Sequence, residues 1–101
     1  MTKSELIKAL NEKLPAMQRS DVESAVNCML QHMKNALVEG ERIEIRGFGS
    51  FNLRHQLPRI GRNPKSGEVV NLPGKTRIHF KPGKEMRDRI NAMRYQYTIE
   101  P

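Results

Sequence analysis

Between Pro58 and Lys75 the chain reads PRIGRNPKSGEVVNLPGK, where four cations, Arg59, Arg62, Lys65 and Lys75, stand against one acid, Glu68. Guanidinium and ammonium groups strung through a segment of few and scattered apolar residues suit one kind of chemistry, pairing with the anionic oxygens of a polyanion. Such a segment cannot fill an interior. It carries three prolines and three glycines, and Asn63-Pro64-Lys65-Ser66-Gly67 is turn material. Proline presets φ at the first corner, asparagine bonds its own backbone, and glycine supplies the left-handed position that closes the loop. Arg54-His55-Gln56-Leu57 leads out and Thr76 to Phe80 returns, so the pattern predicts a long β-hairpin arm over about residues 54–80.

Other reactive side chains assemble into nothing comparable. Cys28 and His32 are four apart on one predicted helix, while His55 and His79 lie at the base of the ribbon, and the set completes no metal pattern. Glu85 and Asp88 share a helical face, but Lys84 and Arg89 beside them read as ordinary helix ion pairs. No cofactor, metal or small-molecule substrate is expected, and the chain does not read as an enzyme.

The elements that must position the arm come from a chain of 101 residues, read as a single domain: a helical dimerisation part at 1–40, a β-sheet with its arm at 41–81, a C-terminal helix at 82–93 and a tail at 94–101. With the arm set aside, the remainder is too small to bury a generous core alone, so oligomerisation is expected. The net charge is +7, and its distribution matters more than its size. Residues 1–53 balance seven cations (Lys3, Lys8, Lys13, Arg19, Lys34, Arg42, Arg46) against seven acids, so the whole excess lies in residues 54–101. That asymmetry marks a phosphate-binding surface on a neutral scaffold. Cys28 is the only cysteine, which forbids an intrachain disulfide and suits a reducing compartment. With no apolar run of bilayer length, a soluble intracellular protein is expected, without membrane contact.

Thr2-Lys3-Ser4-Glu5 fits a capping box and opens a first helix with Leu6, Ile7, Leu10 and Leu14 on one stripe, ended by Pro15. Ser20-Asp21-Val22-Glu23 repeats the pattern and opens a longer helix to about Glu39, with Gly40 as a left-handed stop. Its apolar face, Val22, Ala25, Val26, Met29, Leu30, Met33, Ala36 and Leu37, is too broad for one short helix to cover, which favours an intertwined dimer. Arg42 to Arg46 alternates as a strand with both isoleucines facing the core and Arg42, Glu44 and Arg46 on the other side, where Glu44 would hold the Arg46 guanidinium. Gly47-Phe48-Gly49 turns the chain into Ser50 to Arg54, with Phe51 and Leu53 inward. A third helix carries Met86, Ile90 and Met93 at helical spacing. The fold class is therefore α+β: two N-terminal helices forming a dimer core, a short antiparallel sheet running into the ribbon, and a closing helix.

Three segments in order, Gly47-Phe48-Gly49-Ser50-Phe51, Gly61-Arg62-Asn63-Pro64 with Gly67, and Phe80-Lys81-Pro82-Gly83-Lys84, resemble the signatures of the bacterial histone-like DNA-bending proteins, the HU and integration host factor family. Within it, Glu41 to Arg46 and Met1 to Ile7 resemble the beta subunits of integration host factor, and roughly residues 1–93 are covered. The resemblance implies a dimer whose arms wrap double-stranded DNA in the minor groove, with Pro64 as the wedge that enters between base pairs. It implies a heterodimer with an alpha-like subunit, or else a homodimer, in the cytoplasm and on the nucleoid, supporting recombination, transcription and translation regulation and nucleoid organisation. It assigns DNA contact to Arg59, Arg62, Asn63, Lys65, Lys75 and Arg77 along the arm, to Lys81 and Lys84 near the body, and to Lys3, Arg42, Glu44 and Arg46, the last two for base reading. A site-indifferent HU-like compactor is the alternative, and an RNA-binding protein a further one. Thr76-Arg77-Ile78 departs from the more usual apolar and proline-containing return strand, and the tail beyond Met93 exceeds the family length.

Overall fold

The structure is a computed structural model describing residues 1–96. Its described residues pack as two compact units, one of Met1–Glu39 and one that begins at Gly40. The first holds α1 (Lys3–Lys13) and α2 (Arg19–Val38). Thr2 caps α1 as expected, its hydroxyl oxygen accepting from the Glu5 amide at 3.3 Å. The glutamate closes the box on the threonine hydroxyl, 3.2 Å from Oε1, rather than on the threonine amide. The entry to α2 differs from expectation. Leu14 to Met17 forms a turn, with the Met17 amide donating to the Leu14 carbonyl at 3.0 Å, and delivers the chain to an extended Gln18, which becomes the N-cap without a side-chain bond. Ser20 consequently lies inside the helix, because the turn sets the entry point before its hydroxyl can act.

The core of this unit is Ile7, Val22 and Val26, with Leu10 packed against it. Of the remaining apolar stripe on α2, Met33, Ala36 and Leu37 are half-buried, whereas Ala25, Met29 and Leu30 are exposed. Three buried side chains at about 1.5–3 kcal/mol each fall well short of the ordering entropy of a unit this long. Gly40 takes φ 85° just past the C-cap Glu39, the left-handed stop expected there.

The second unit contains β1 (Ile43–Ile45), β2 (Gly49–Gln56), β3 (Arg59–Arg62), β4 (Val69–Leu72), β5 (Lys75–Pro82) and α3 (Lys84–Ala92). β1, β2 and β5 form one antiparallel sheet in that order, and β3 with β4 a second. The first sheet has two distinct faces. Phe51 lies opposite Phe80, and Leu53 opposite Ile78, on one of them. Phe80 stacks on Phe51 with centroids 4.7 Å apart and on Phe48 at 5.5 Å. Gly49 is needed for this: a Cβ there would run into the Phe80 ring and sit 2.6 Å from the Lys81 carbonyl oxygen. Although Ile43 and Ile45 share this apolar face by alternation, Ile45 is exposed and Ile43 half-buried, so the expected core contact is only partly made within the chain.

β2 and β5 stay paired to Gln56 opposite Lys75, and β3 and β4 resume at Arg59 opposite Leu72. The ribbon expected as one piece is thus two segments in one continuous register, interrupted at Leu57-Pro58 and Pro73-Gly74, where neither proline has an amide to give the ladder. Gly74 comes close to the opposite strand, since a Cβ there would meet the Gln56 carbonyl oxygen at 2.9 Å. Among the described residues no helix is long and apolar enough to cross a membrane.

Candidate nucleic-acid interface

The second unit carries two cationic surfaces built in different ways. The first is a groove of about 400 Å³ lined by Arg42, Arg46, Lys81, Lys84 and Arg87, with Glu44 the acid among them. One hydrogen bond sets its geometry: the Gly83 amide donates to the Phe48 carbonyl at 2.8 Å, which fastens the start of α3 beside the turn between β1 and β2. Glu44, Ser50 and Lys81 form a row across the three strands on the polar face. Three of the five groove cations carry acidic partners: Arg42 lies 3.8 Å from Glu44, Lys84 3.6 Å from Asp88, and Arg87 4.0 Å from the same aspartate, whereas Arg46 and Lys81 have none among the described residues. All are exposed pairs, individually worth less than about 1 kcal/mol.

Here the sequence expectation needs correction. Glu44 engages Arg42 and not Arg46, because β1 ends at Ile45 and Arg46 already belongs to the turn, where strand alternation no longer decides its direction. Arg87 was not among the expected contacts. A helix read in isolation gives no sign that its first turn faces a sheet edge. The pairing of Lys84 with Asp88 and of Arg89 with Glu85, 3.9 Å apart, is the ordinary helix-surface pattern expected.

The arm is the second surface. Its tip runs from Asn63 to Glu68. The Asn63 side-chain oxygen accepts from the Lys65 amide at 2.9 Å, the Gly67 amide donates to the Asn63 carbonyl at 2.7 Å, and the Asn63 amide donates to the Glu68 carbonyl at 2.9 Å. Gly67 has φ 72°, the left-handed position anticipated. Pro64 is exposed at this tip, and Lys65 follows it, also exposed. Arg59 and Arg62 sit three apart on β3 and so project from opposite faces of the hairpin. Packing within the arm is confined to Leu72, which lies over Gly61. Arg59 and Lys75 converge with Gln56 on a small cavity of about 170 Å³ at the interruption. Among the described residues, no carboxylate pairs with Arg59, Arg62, Lys65, Lys75 or Arg77.

One expected position lies elsewhere. Lys3 belongs to the helical unit, where its Nζ donates to Asn27 Oδ1 at 2.9 Å. In the tail, Arg94 covers the Tyr95 ring at 4.6 Å and donates from Nη1 to the Asn91 carbonyl at 2.8 Å, whereas Tyr97 lies outside the described residues.

Comparison with known proteins bears on the same surfaces. Residues 1–91 match the family described as bacterial DNA-binding protein. The chain is 59% identical over 99 residues to integration host factor subunit beta of Halorhodospira halophila, covering 98% of this chain and 97% of that one. It is 61% identical over 95 residues to the same subunit of Alkalilimnicola ehrlichii, covering 94% and 95%. Among solved structures, an Anabaena HU–DNA cocrystal structure is similar with a TM-score of 0.77 at 31% identity, spanning 89% of this chain and 97% of that one. A ribbon of cations without carboxylate partners, a basic groove and agreement along nearly the whole chain converge: this chain belongs to the bacterial DNA-binding family of HU and integration host factor, whose members are architectural DNA-binding proteins rather than enzymes.

Proposed function

We propose that the chain bends duplex DNA by laying its arm in the minor groove and driving Pro64 between two base pairs. The observation that carries this reading is the exposed proline at the arm tip, followed by Lys65 and backed by arginines on both faces of the hairpin. A ribbon held between two groove walls meets phosphates on both sides, which a one-faced cationic strand does not. Proline is a rigid, apolar ring without an amide donor, suited to parting a base step at a cost of a few kcal/mol that phosphate contacts to the bent duplex offset. Arg59, Arg62, Asn63, Lys65, Lys75 and Arg77 hold the arm in this reading; Lys81, Lys84, Arg42 and Lys3 take phosphates nearer the body.

The uncovered apolar faces supply the partner. Met29 is 57% exposed and Ile78 61% exposed, so a second chain is the natural cover for both the helical and the sheet surfaces. Likeness to beta subunits favours an alpha-like partner over a second identical chain; measuring mass in solution, alone and with candidate partners, decides between them. Arg46, with Glu44 nearby, gives the complex preference for some sites. Recombination, transcription and translation regulation and nucleoid organisation are the processes such bending serves.

The test is a short duplex carrying donor and acceptor dyes at its ends. Binding should bring the ends together, and Pro64→Ala should remove most of that approach while weakening affinity only a few-fold. A duplex whose ends come no closer on binding sinks the proposal. A site-indifferent compactor is favoured by one observation, the Glu44 to Arg42 pair, which leaves Arg46 without the carboxylate that would fix its angle. Equal displacement by a candidate site and by scrambled DNA at moderate salt would select that second reading.

A further inference from the structure

On the polar face of the first sheet, Arg54 of β2 stands directly opposite Arg77 of β5. Like charges in this relation repel and destabilise a sheet. Both side chains are exposed, and among the described residues neither has an ion-pair or side-chain hydrogen-bond partner. The neighbouring rungs, Asn52 opposite His79 and Gln56 opposite Lys75, offer no acid either. The acid on this face of the sheet, Glu44, pairs across from Ser50, four residues along β2 or about 13 Å away, and is held by Arg42. An uncompensated arginine pair at the base of a ribbon therefore lowers the stability of the free chain without serving its packing.

We infer that Arg54 and Arg77 together form a two-guanidinium clamp for one backbone phosphate at the base of the arm. Cross-strand neighbours have their Cβ atoms about 4.5–5.5 Å apart, close enough for two planar forks to meet on one tetrahedral anion, each donating two N–H groups to its oxygens. The bound phosphate cancels the repulsion, so binding also firms the strand pairing from which the arm extends. This inference rests on the DNA-bending reading and adds Arg54 to its contacts.

The experiment uses the full-length chain in the assembly in which it purifies, with duplex DNA as the probe. Arg54→Thr keeps β propensity while removing the charge. Combined with Arg77→Thr it should flatten the plot of log affinity against log salt by about 0.9 units per copy of the chain in the complex, the share of one phosphate, whereas Arg54→Thr alone, with Arg77 still on that phosphate, should lower affinity and flatten the plot by less. The same variant, without DNA and at low salt, should melt no lower than the parent, with a rise of roughly 2–4 °C expected from relief of the repulsion. Arg54→Lys should keep the parental slope at reduced affinity, since the charge remains and the fork is lost. An unchanged slope for the double variant, a loss of about 1.8 units per copy that would give each arginine its own phosphate, or a lower melting temperature for Arg54→Thr overturns the clamp. If the parent chain itself binds duplex DNA without salt dependence, the bending reading falls with it; if the parent behaves as proposed and only the Arg54 and Arg77 variants do not, the clamp alone fails.

Discussion

The groove beside α3 and the arm are both cationic, yet they are made on opposite plans. In the groove, three of the five cations, Arg42, Lys84 and Arg87, lie within 4.0 Å of a carboxylate, which orients the side chain and discounts its charge, and only Arg46 and Lys81 lack one among the described residues. In the arm, Arg59, Arg62, Lys65, Lys75 and Arg77 have no such partner among the described residues. A cation already satisfied by an acid must exchange one partner for another when phosphate arrives; an unsatisfied one releases its counterion and contributes fully. On the reading proposed above, the two surfaces would divide the labour accordingly, the arm setting affinity and bending and the groove alignment and discrimination.

Three substitutions press on that division. The largest effect belongs to the combined Arg59→Ala, Arg62→Ala and Lys65→Ala variant, which should flatten the salt dependence of duplex affinity by about 2.7 units per copy of the chain if each residue meets a phosphate. A change below about one unit in filter or fluorescence titrations means that the arm does not carry the affinity. Next comes Arg46→Ala, expected to narrow the gap between preferred and scrambled DNA by about 1–3 kcal/mol while leaving the salt slope nearly unchanged. Loss of affinity for both sequences alike would reassign Arg46 to simple phosphate contact. Arg87→Ala should be the mildest, because Asp88, which Arg87 shares with Lys84, already discounts its charge: less than about 0.5 units of slope, read in the same titration. A full unit would show that the aspartate does not discount the groove cation, and the contrast drawn above would not hold.

How far the residues alone announced this arrangement depended on how local the interaction was. The Thr2 cap, the Gly40 stop and the Asn63 to Gly67 turn are decided within five residues of chain and were legible. Ser20 misled because its own cap chemistry was sound, while the turn before it, closed by Met17 on Leu14, had already started the helix. Glu44 misled because alternation puts Arg42 and Arg46 on the same side of a strand, and only the onset of the turn separates them. Arg54 and Arg87 went unnoticed for a further reason. Their significance comes from register across two strands and from a single bond between Gly83 and Phe48, and neither is written in spacing along the chain.

The gap in the ribbon at Leu57-Pro58 and Pro73-Gly74 removes the same number of residues from each strand, so the pairing arithmetic beyond it is untouched. The distal hairpin is in that sense a cartridge: a different loop and wedge of equal length can be seated beyond the two prolines without shifting a single rung below them. Evolution, or an engineer, can retune the far end of such a finger while leaving its knuckle alone.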